Sequence, residues 1–217
     1  MKKIIFSCLV ASILTQMSMA NSGVNHNHTS EMKSVHHTSV SNPQIKEVIN
    51  LMHAPMMEAK FVESGNVNVD FLQNMIPHHE GAILSSKKLI QSKNLNPKLK
   101  KIAEDIIVAQ EKEIKCFNEL LSKGELLNQN LSKEEYQEFV NLEKQNMKEM
   151  MQEMGKFSDT NLESAYMQAM ITHHNGAIRS AKQILDITNN DTIKKIANTI
   201  ISTQESEVKQ FEKMLKR

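Results

Sequence analysis

Two pairs of adjacent histidines, each with a methionine three residues upstream, are the residues of this chain best suited to chemistry. The two groups are Met75, His78 and His79, and Met170, His173 and His174. Thioether and neutral imidazole bind soft and borderline cations, and their combination without thiolate favours Cu(I). Ag(I) fits the same donors by extension, and imidazole also accepts Cu(II) or Zn(II). The sequence therefore predicts a metal-ion partner, with copper favoured.

Helical geometry predicts that each group lies on one face of its helix. At about 100° per residue, His78 and His79 fall within about 60° of Met75. Phe71 shares this apolar face, whereas Glu80 falls on the polar side. The second group repeats the pattern. Pure packing is the alternative, because methionine often only fills space in a core.

The helix after each histidine pair carries a polar interruption in its apolar stripe. The interrupting residues are Gln110 and Glu113 in one helix, and Gln204 and Glu207 in the other. Buried polar groups need hydrogen-bond partners. We therefore expect these side chains to meet the histidine pairs and fix the tautomer and tilt of the imidazoles, or the glutamates to ligate a metal directly.

Further soft donors occur in three other segments and could serve as auxiliary ligands. They are Met52, His53, Met56 and Met57 in the first helix, Met147, Met150, Met151 and Met154 in the fourth, and His26, His28, His36 and His37 in an N-terminal tail. Flexible core filling is the alternative for the methionines. A polar spacer is the alternative for the tail.

The composition favours an exported all-α protein. With a net charge of +1, the 217-residue chain lacks the basic surface of a nucleic-acid-binding protein. Six Gly and four Pro are too few for a turn-rich β-sandwich. Lys2 and Lys3, followed by a short apolar run, predict a signal peptide over residues 1–20, cleaved after Ala20. We expect a periplasmic or secreted product without a membrane span.

A disordered His-rich tail is predicted over 21–43, and one helical domain over 44–217. Capping residues bracket six helices. The first helix is predicted over about 44–63, with an interruption at Pro55. The other predicted starts are Asp70 boxed with Gln73, Asn96-Pro97, Ser132 boxed with Glu135, Thr160 boxed with Glu163, and Asn190.

An internal repeat organises the helical domain. Residues 71–83 match 166–178, and residues 102–117 match 196–211, in polar as well as apolar positions. The repeat predicts a duplicated unit, about 44–124 and about 131–217, related by a pseudo-two-fold axis.

The His-His-x-Gly-Ala-Ile runs and the Ile-Ala-x-x-Ile-Ile-x-x-Gln-x-x-Glu helices resemble a bacterial family labelled a domain of unknown function. The resemblance covers about residues 45–215. It implies a ferritin-like helical fold, and members of that family include CopM-type periplasmic copper-binding proteins. By this resemblance, the two Met-His-His groups are the places where copper would bind.

These observations lead to the hypothesis of a monomeric, exported protein that binds Cu(I) without catalytic turnover, for copper sequestration or tolerance. A copper-export or copper-chaperone partner is undefined. One alternative is a structural bundle in which the histidines merely bond to Gln110 and Gln204. Another is a di-iron carboxylate enzyme, but that site requires Glu-x-x-His, and no glutamate of the chain has a histidine three residues later.

Overall fold

The computed structural model describes residues 42–123, 131–154 and 160–216. Within these ranges the chain is all-helical, which confirms the predicted all-α bundle. The six helices are α1 (Pro43–Glu58), α2 (Val67–Leu89), α3 (Pro97–Leu121), α4 (Lys133–Met154), α5 (Leu162–Ile187) and α6 (Asp191–Leu215). The predicted signal peptide and all but the last two residues of the predicted tail lie outside the described residues. The duplication and the ferritin-like topology stay predictions.

Helices α2 and α5, which carry the histidine pairs, contact each other and form the centre of the bundle. Helix α3 packs along α2, and α6 packs along α5. Helix α1 covers α2 and α5, and α4 packs mainly on α5. Each helix buries an apolar face, and burial of this kind is the main source of helix stability in a folded protein. None of the described helices is long and apolar enough to cross a membrane.

Three of the predicted helix starts are confirmed. Asn96 and Asn190 cap α3 and α6 through their side-chain oxygens. The capping box at the start of α4 is formed in both directions. The Ser132 amide donates to Glu135 Oε2 (2.9 Å), and the Glu135 amide donates to Ser132 Oγ (3.1 Å).

Two predicted helix starts are wrong, because in each case an asparagine at another position caps the helix. Asn66 caps α2, and Asp70 in the first turn instead accepts from the Ser64 amide (2.8 Å) and the Tyr136 hydroxyl (2.7 Å). Asn161 caps α5, one residue after the predicted Thr160. The partner expected of Thr160, Glu163, accepts from the backbone amide of Asn96 (2.8 Å). Tertiary partners thus replaced the expected local ones.

The predicted interruption of the first helix at Pro55 is also wrong. Helix α1 runs through Pro55 and ends at Glu58, not near residue 63. The carbonyl of Pro55 still accepts from the Ala59 amide (3.0 Å). Met52 and Met56, on either side of the proline, are buried in the core. Packing of this face therefore outweighs the hydrogen bond that the proline removes.

Gly81 allows α1 to approach α2 next to the histidines. A Cβ at this position would overlap the backbone carbonyl oxygen of Met52 and would lie 3.5 Å from His173 Nε2. At Gly176, the matching position of α5, a Cβ would meet only the side chain of Met150.

Replacement of Gly81 by alanine is therefore expected to destabilise the protein by roughly 1–3 kcal/mol, because backbone must move. Alanine normally stabilises a helix interior by about 1 kcal/mol relative to glycine. A loss of stability in Gly81→Ala would therefore have the opposite sign to the usual effect of this substitution. Gly176→Ala is the matched control and should be tolerated better, since the Met150 side chain can change rotamer. Equilibrium urea unfolding measures both variants. A Gly81→Ala protein as stable as the wild type would contradict this close approach.

Candidate functional site

The first histidine of each pair meets its counterpart between α2 and α5. The ring centroids of His78 and His173 lie 3.7 Å apart, with the planes tilted by 37°. His78 Nε2 lies 3.1 Å from the backbone carbonyl oxygen of His173. Because a carbonyl oxygen only accepts, Nε2 carries the hydrogen of a neutral ring, and Nδ1 keeps its electron pair. That Nδ1 has no hydrogen-bond partner among the described residues.

Both central rings are held in the neutral form. Burial lowers the pKa of His78 and of His173 well below the usual value of 6.5, and the neighbouring histidines lower it further. Within the described part of the chain, His173 has no hydrogen-bond partner at either ring nitrogen. The neutral imidazole is the form that ligates metal ions.

The second histidine of each pair meets a glutamate of the following helix. His79 Nε2 donates to Glu113 Oε2 at 2.8 Å, and His174 Nε2 lies 2.7 Å from Glu207 Oε2. The second contact is less well aligned for a hydrogen bond. Both imidazoles are fully buried, while the glutamate side chains are 16% and 11% exposed. The structure thus brings together the histidines and glutamates that the sequence predicts to meet.

This His-Glu arrangement leaves Nδ1 of His79 and His174 without a hydrogen-bond partner in the described ranges. A carboxylate that accepts from one imidazole nitrogen orients the ring and raises the basicity of the other nitrogen, which is the usual environment of a metal-ligating histidine. The contacts expected of Gln110 and Gln204 differ from those that the two glutamates make. Gln110 and Gln204 are buried, but the Gln110 carbonyl oxygen and the Gln204 amide have no partner in the described ranges.

A cavity of about 30 Å³ lies among α2, α4 and α5. Three thioethers, an imidazole and a carboxylate line it, together with two amides, a hydroxyl and apolar groups. The thioethers, the imidazole and the carboxylate belong to Met75, Met147, Met150, His78 and Glu143. A volume of this size holds about one water molecule or one ion. The cavity therefore suits a single small cation rather than an organic molecule.

Glu143 is the cavity residue that the sequence prediction missed. Ser180 Oγ donates to Glu143 Oε2 at 2.8 Å, while Oε1 has no partner among the residues described. Burial raises the pKa of Glu143 to about 7, although the Ser180 hydrogen bond opposes this shift. A sequence signal existed, because Glu143 follows Val140 by three residues and precedes Met147 by four on the apolar stripe of α4.

A second thioether–imidazole contact joins α1 and α4. His53 Nε2 lies 3.3 Å from Met154 Sδ, although the two residues are 101 positions apart. Met151 is partly buried beside the same core cluster, and Met57 is 69% exposed.

Of the predicted donors in the described residues, only Met75, His78, Met147 and Met150 line the cavity, so His79, His173 and His174 do not. Met52, Met56 and Met170 are buried in a hydrophobic cluster, and none of them lines the cavity. The structure thus separates Met170 from Met75, its counterpart in the sequence repeat. The four tail histidines lie outside the described residues.

No three His, Cys, Asp or Glu side chains of the described residues converge closely enough to hold a metal ion. A site of three or more side-chain donors among the described residues in this conformation would need other donor types as well, such as thioether sulfur or amide and hydroxyl oxygen. Methionine ligands select soft ions such as Cu(I) over the hard cations that carboxylates prefer.

The six helices and the side chains packed between them define a helical bundle with a buried group of histidine, methionine and carboxylate side chains. The chain belongs to the DUF305 family, described as a domain of unknown function, whose model matches residues 12–121 and 68–215.

Three relatives show how far the similarity extends. An uncharacterized protein of Acanthamoeba polyphaga mimivirus is 40% identical over 58 residues, which cover 27% of this chain and 38% of the viral protein. The crystal structure of a DUF305 fragment from Deinococcus radiodurans gives a TM-score of 0.50 at 21% identity, over 70% of this chain and 96% of the fragment. A predicted secreted DUF305 protein from Streptomyces coelicolor gives 0.53 at 19% identity, over 70% and 93%. At these identities the two structures show a shared fold alone.

Proposed function

We propose that this protein is exported and binds Cu(I), which it sequesters in the cavity among α2, α4 and α5 without catalysing a reaction. The ligands are thioethers of Met75, Met147 and Met150 and the imidazole of His78. Glu143 lines the same cavity, where its carboxylate can offset the charge of the ion. Ag(I) is expected to occupy the same site.

The observation that carries this proposal is the unpartnered Nδ1 of His78 in a ring that lines a donor-rich cavity. An unsatisfied buried polar atom costs about 1–3 kcal/mol, and native proteins keep few of them. The His78 ring shares this feature with the other three central histidines. A bound cation would satisfy the electron pair that the protein leaves without a donor.

The choice of ion follows from the donor set. Three of the side chains around the cavity are thioethers, which favour soft ions such as Cu(I) over hard cations. The His79–Glu113 and His174–Glu207 contacts hold the neighbouring rings in position. The small cavity leaves no room for an organic substrate beside an ion, which supports a binding role rather than an enzymatic one.

Export is supported by two observations. The N-terminal sequence has the pattern of a signal peptide. A relative of similar fold from Streptomyces coelicolor is a predicted secreted protein. Outside the cytoplasm, tight binding of Cu(I) lowers the free concentration of a toxic ion.

A Cu(I) titration of the full chain against a chelating competitor tests the proposal. The four tail histidines are first replaced by asparagine, so that only the helical domain contributes imidazoles. We expect at least one tightly held Cu(I) per chain and a rise in the free energy of unfolding of about 4 kcal/mol at a free Cu(I) concentration 1,000 times Kd. If all tight binding disappears with the tail histidines, the tail is the metal site. If added Cu(I) leaves the unfolding temperature unchanged, the protein is better described as a purely structural bundle.

A further inference from the structure

The contact between His53 and Met154 has a chemical character that core packing does not require. An imidazole nitrogen lies 3.3 Å from a thioether sulfur across two helices. With its hydrogen on Nε2, the imidazole donates a hydrogen bond to the sulfur, whereas the other neutral tautomer turns an electron pair of Nε2 toward the thioether. The same two atom types are the preferred ligands of Cu(I) and Ag(I).

This contact is partly accessible to solvent through His53. His53 is half-buried, whereas Met154 is fully buried. Met57 follows His53 by four residues on α1 and is 69% exposed. Residues four apart on a helix lie on the same face, one turn from each other. An exposed thioether therefore stands beside the half-buried imidazole.

The spacing of the two donor atoms is close to that of a bound ion. With the zinc–nitrogen and zinc–sulfur distances of about 2.0 and 2.3 Å as a guide, the separation of 3.3 Å corresponds to a ligand–metal–ligand angle of about 100°. Opening the separation by about 0.4 Å reaches the angle of about 120° of a trigonal site on the same bond lengths. A small change in the side-chain torsions of the half-buried His53, within one rotamer, is enough for such a shift.

We propose that His53, Met57 and Met154 form an outer site for Cu(I) or Ag(I), separate from the cavity among α2, α4 and α5. The outer site deepens the proposed function and yet rests on its own contact between α1 and α4.

Ag(I) titration of the full chain, with the tail histidines replaced by asparagine and the methionine methyl groups labelled with carbon-13, tests this proposal. We expect the Met57 and Met154 methyl resonances to shift together and to saturate as one site. His53→Gln and Met57→Leu should each weaken this site by about tenfold or more, while the Met75, Met147 and Met150 shifts persist. Met57→Leu changes an exposed side chain, so folding is preserved. Met214→Leu, at the edge of the core cluster, is the control and should change neither site.

The outcomes separate the two proposals. If the Met57 and Met154 methyl resonances do not respond to Ag(I), or respond undiminished in His53→Gln, the outer site is wrong. If these resonances respond but those of Met75, Met147 and Met150 do not, the outer site stands and the proposed cavity site fails.

Discussion

Replacing Met75, Met147 and Met150 together by leucine is expected to weaken Cu(I) binding by roughly 1,000-fold, or about 4 kcal/mol. The substitution removes three sulfur ligands from the cavity and leaves His78 and Glu143 as donors. An imidazole and a carboxylate are a poor ligand set for Cu(I), which prefers soft donors.

Leucine is the appropriate replacement because it keeps the volume of the core. Exchanges between methionine and leucine usually cost less than about 1.5 kcal/mol, and Met75 and Met150 are both buried. A fold that is retained, as shown by circular dichroism and urea unfolding, allows the loss of affinity to be assigned to the missing sulfur atoms. Competition with a chromophoric Cu(I) chelator measures the affinity.

The matched control is Met167→Leu combined with Met214→Leu. Both methionines belong to or contact the core, and neither lines the cavity. The control should bind Cu(I) as the wild type does. Equal affinity of the triple variant and the control would place the copper elsewhere in the chain.

Replacing Glu143 by glutamine is expected to make the protein more stable than the wild type in alkaline solution. Burial raises the pKa of Glu143 from 4.5 to about 7 in the folded protein. Between these values the native state binds a proton that the unfolded state has released, so stability falls as the pH rises. The full effect is about 3 kcal/mol, of which about 2 kcal/mol develops between pH 5.5 and 8.

Glutamine has nearly the same shape as glutamate and carries no charge. The variant therefore does not lose stability at this position as the pH rises. The gap in the free energy of unfolding between Glu143→Gln and the wild type should therefore widen in favour of the variant as the pH rises from 5.5 to 8. The lowered pKa values of His78 and His173 act in the opposite direction, because the unfolded chain binds more protons below pH 6.5. Both proteins share that loss on acidification, so it cancels in the difference.

Urea unfolding of both proteins without metal, at several pH values, measures the gap. Glu153→Gln on the exposed side of the same helix is the control, and its gap should not change with pH. A gap for Glu143→Gln that is constant over this range would show that the carboxylate is solvated rather than buried.

Much of the local structure was predictable because it depends on neighbours in the chain. The 3.6-residue period of the helix decides which residues share a face, so the burial of His78, His79, His173 and His174 could be predicted from spacing. The same reasoning put Glu113 on the apolar stripe of α3, and a buried carboxylate must find a partner. Asn96 and Asn190 were recognisable as caps for the same local reason.

Other predictions failed where two local solutions were close in energy. Asp70 and Thr160 are both acceptable caps, but Asn66, one helical turn before Asp70, and Asn161, directly after Thr160, offered alternatives. Asp70 gained the Tyr136 hydroxyl as a partner, 66 residues away. A local rule cannot include such a partner, because its distance depends on how the helices pack.

The sequence by itself determined six amphipathic helices and the faces on which their imidazoles and thioethers lie. Only the tertiary structure decided which faces meet: His78 stacks on His173, Glu143 joins Met75 at one cavity, and His53 touches Met154. Helical periodicity fixes directions around one axis, whereas contacts between helices depend on close packing of whole side chains over the entire core.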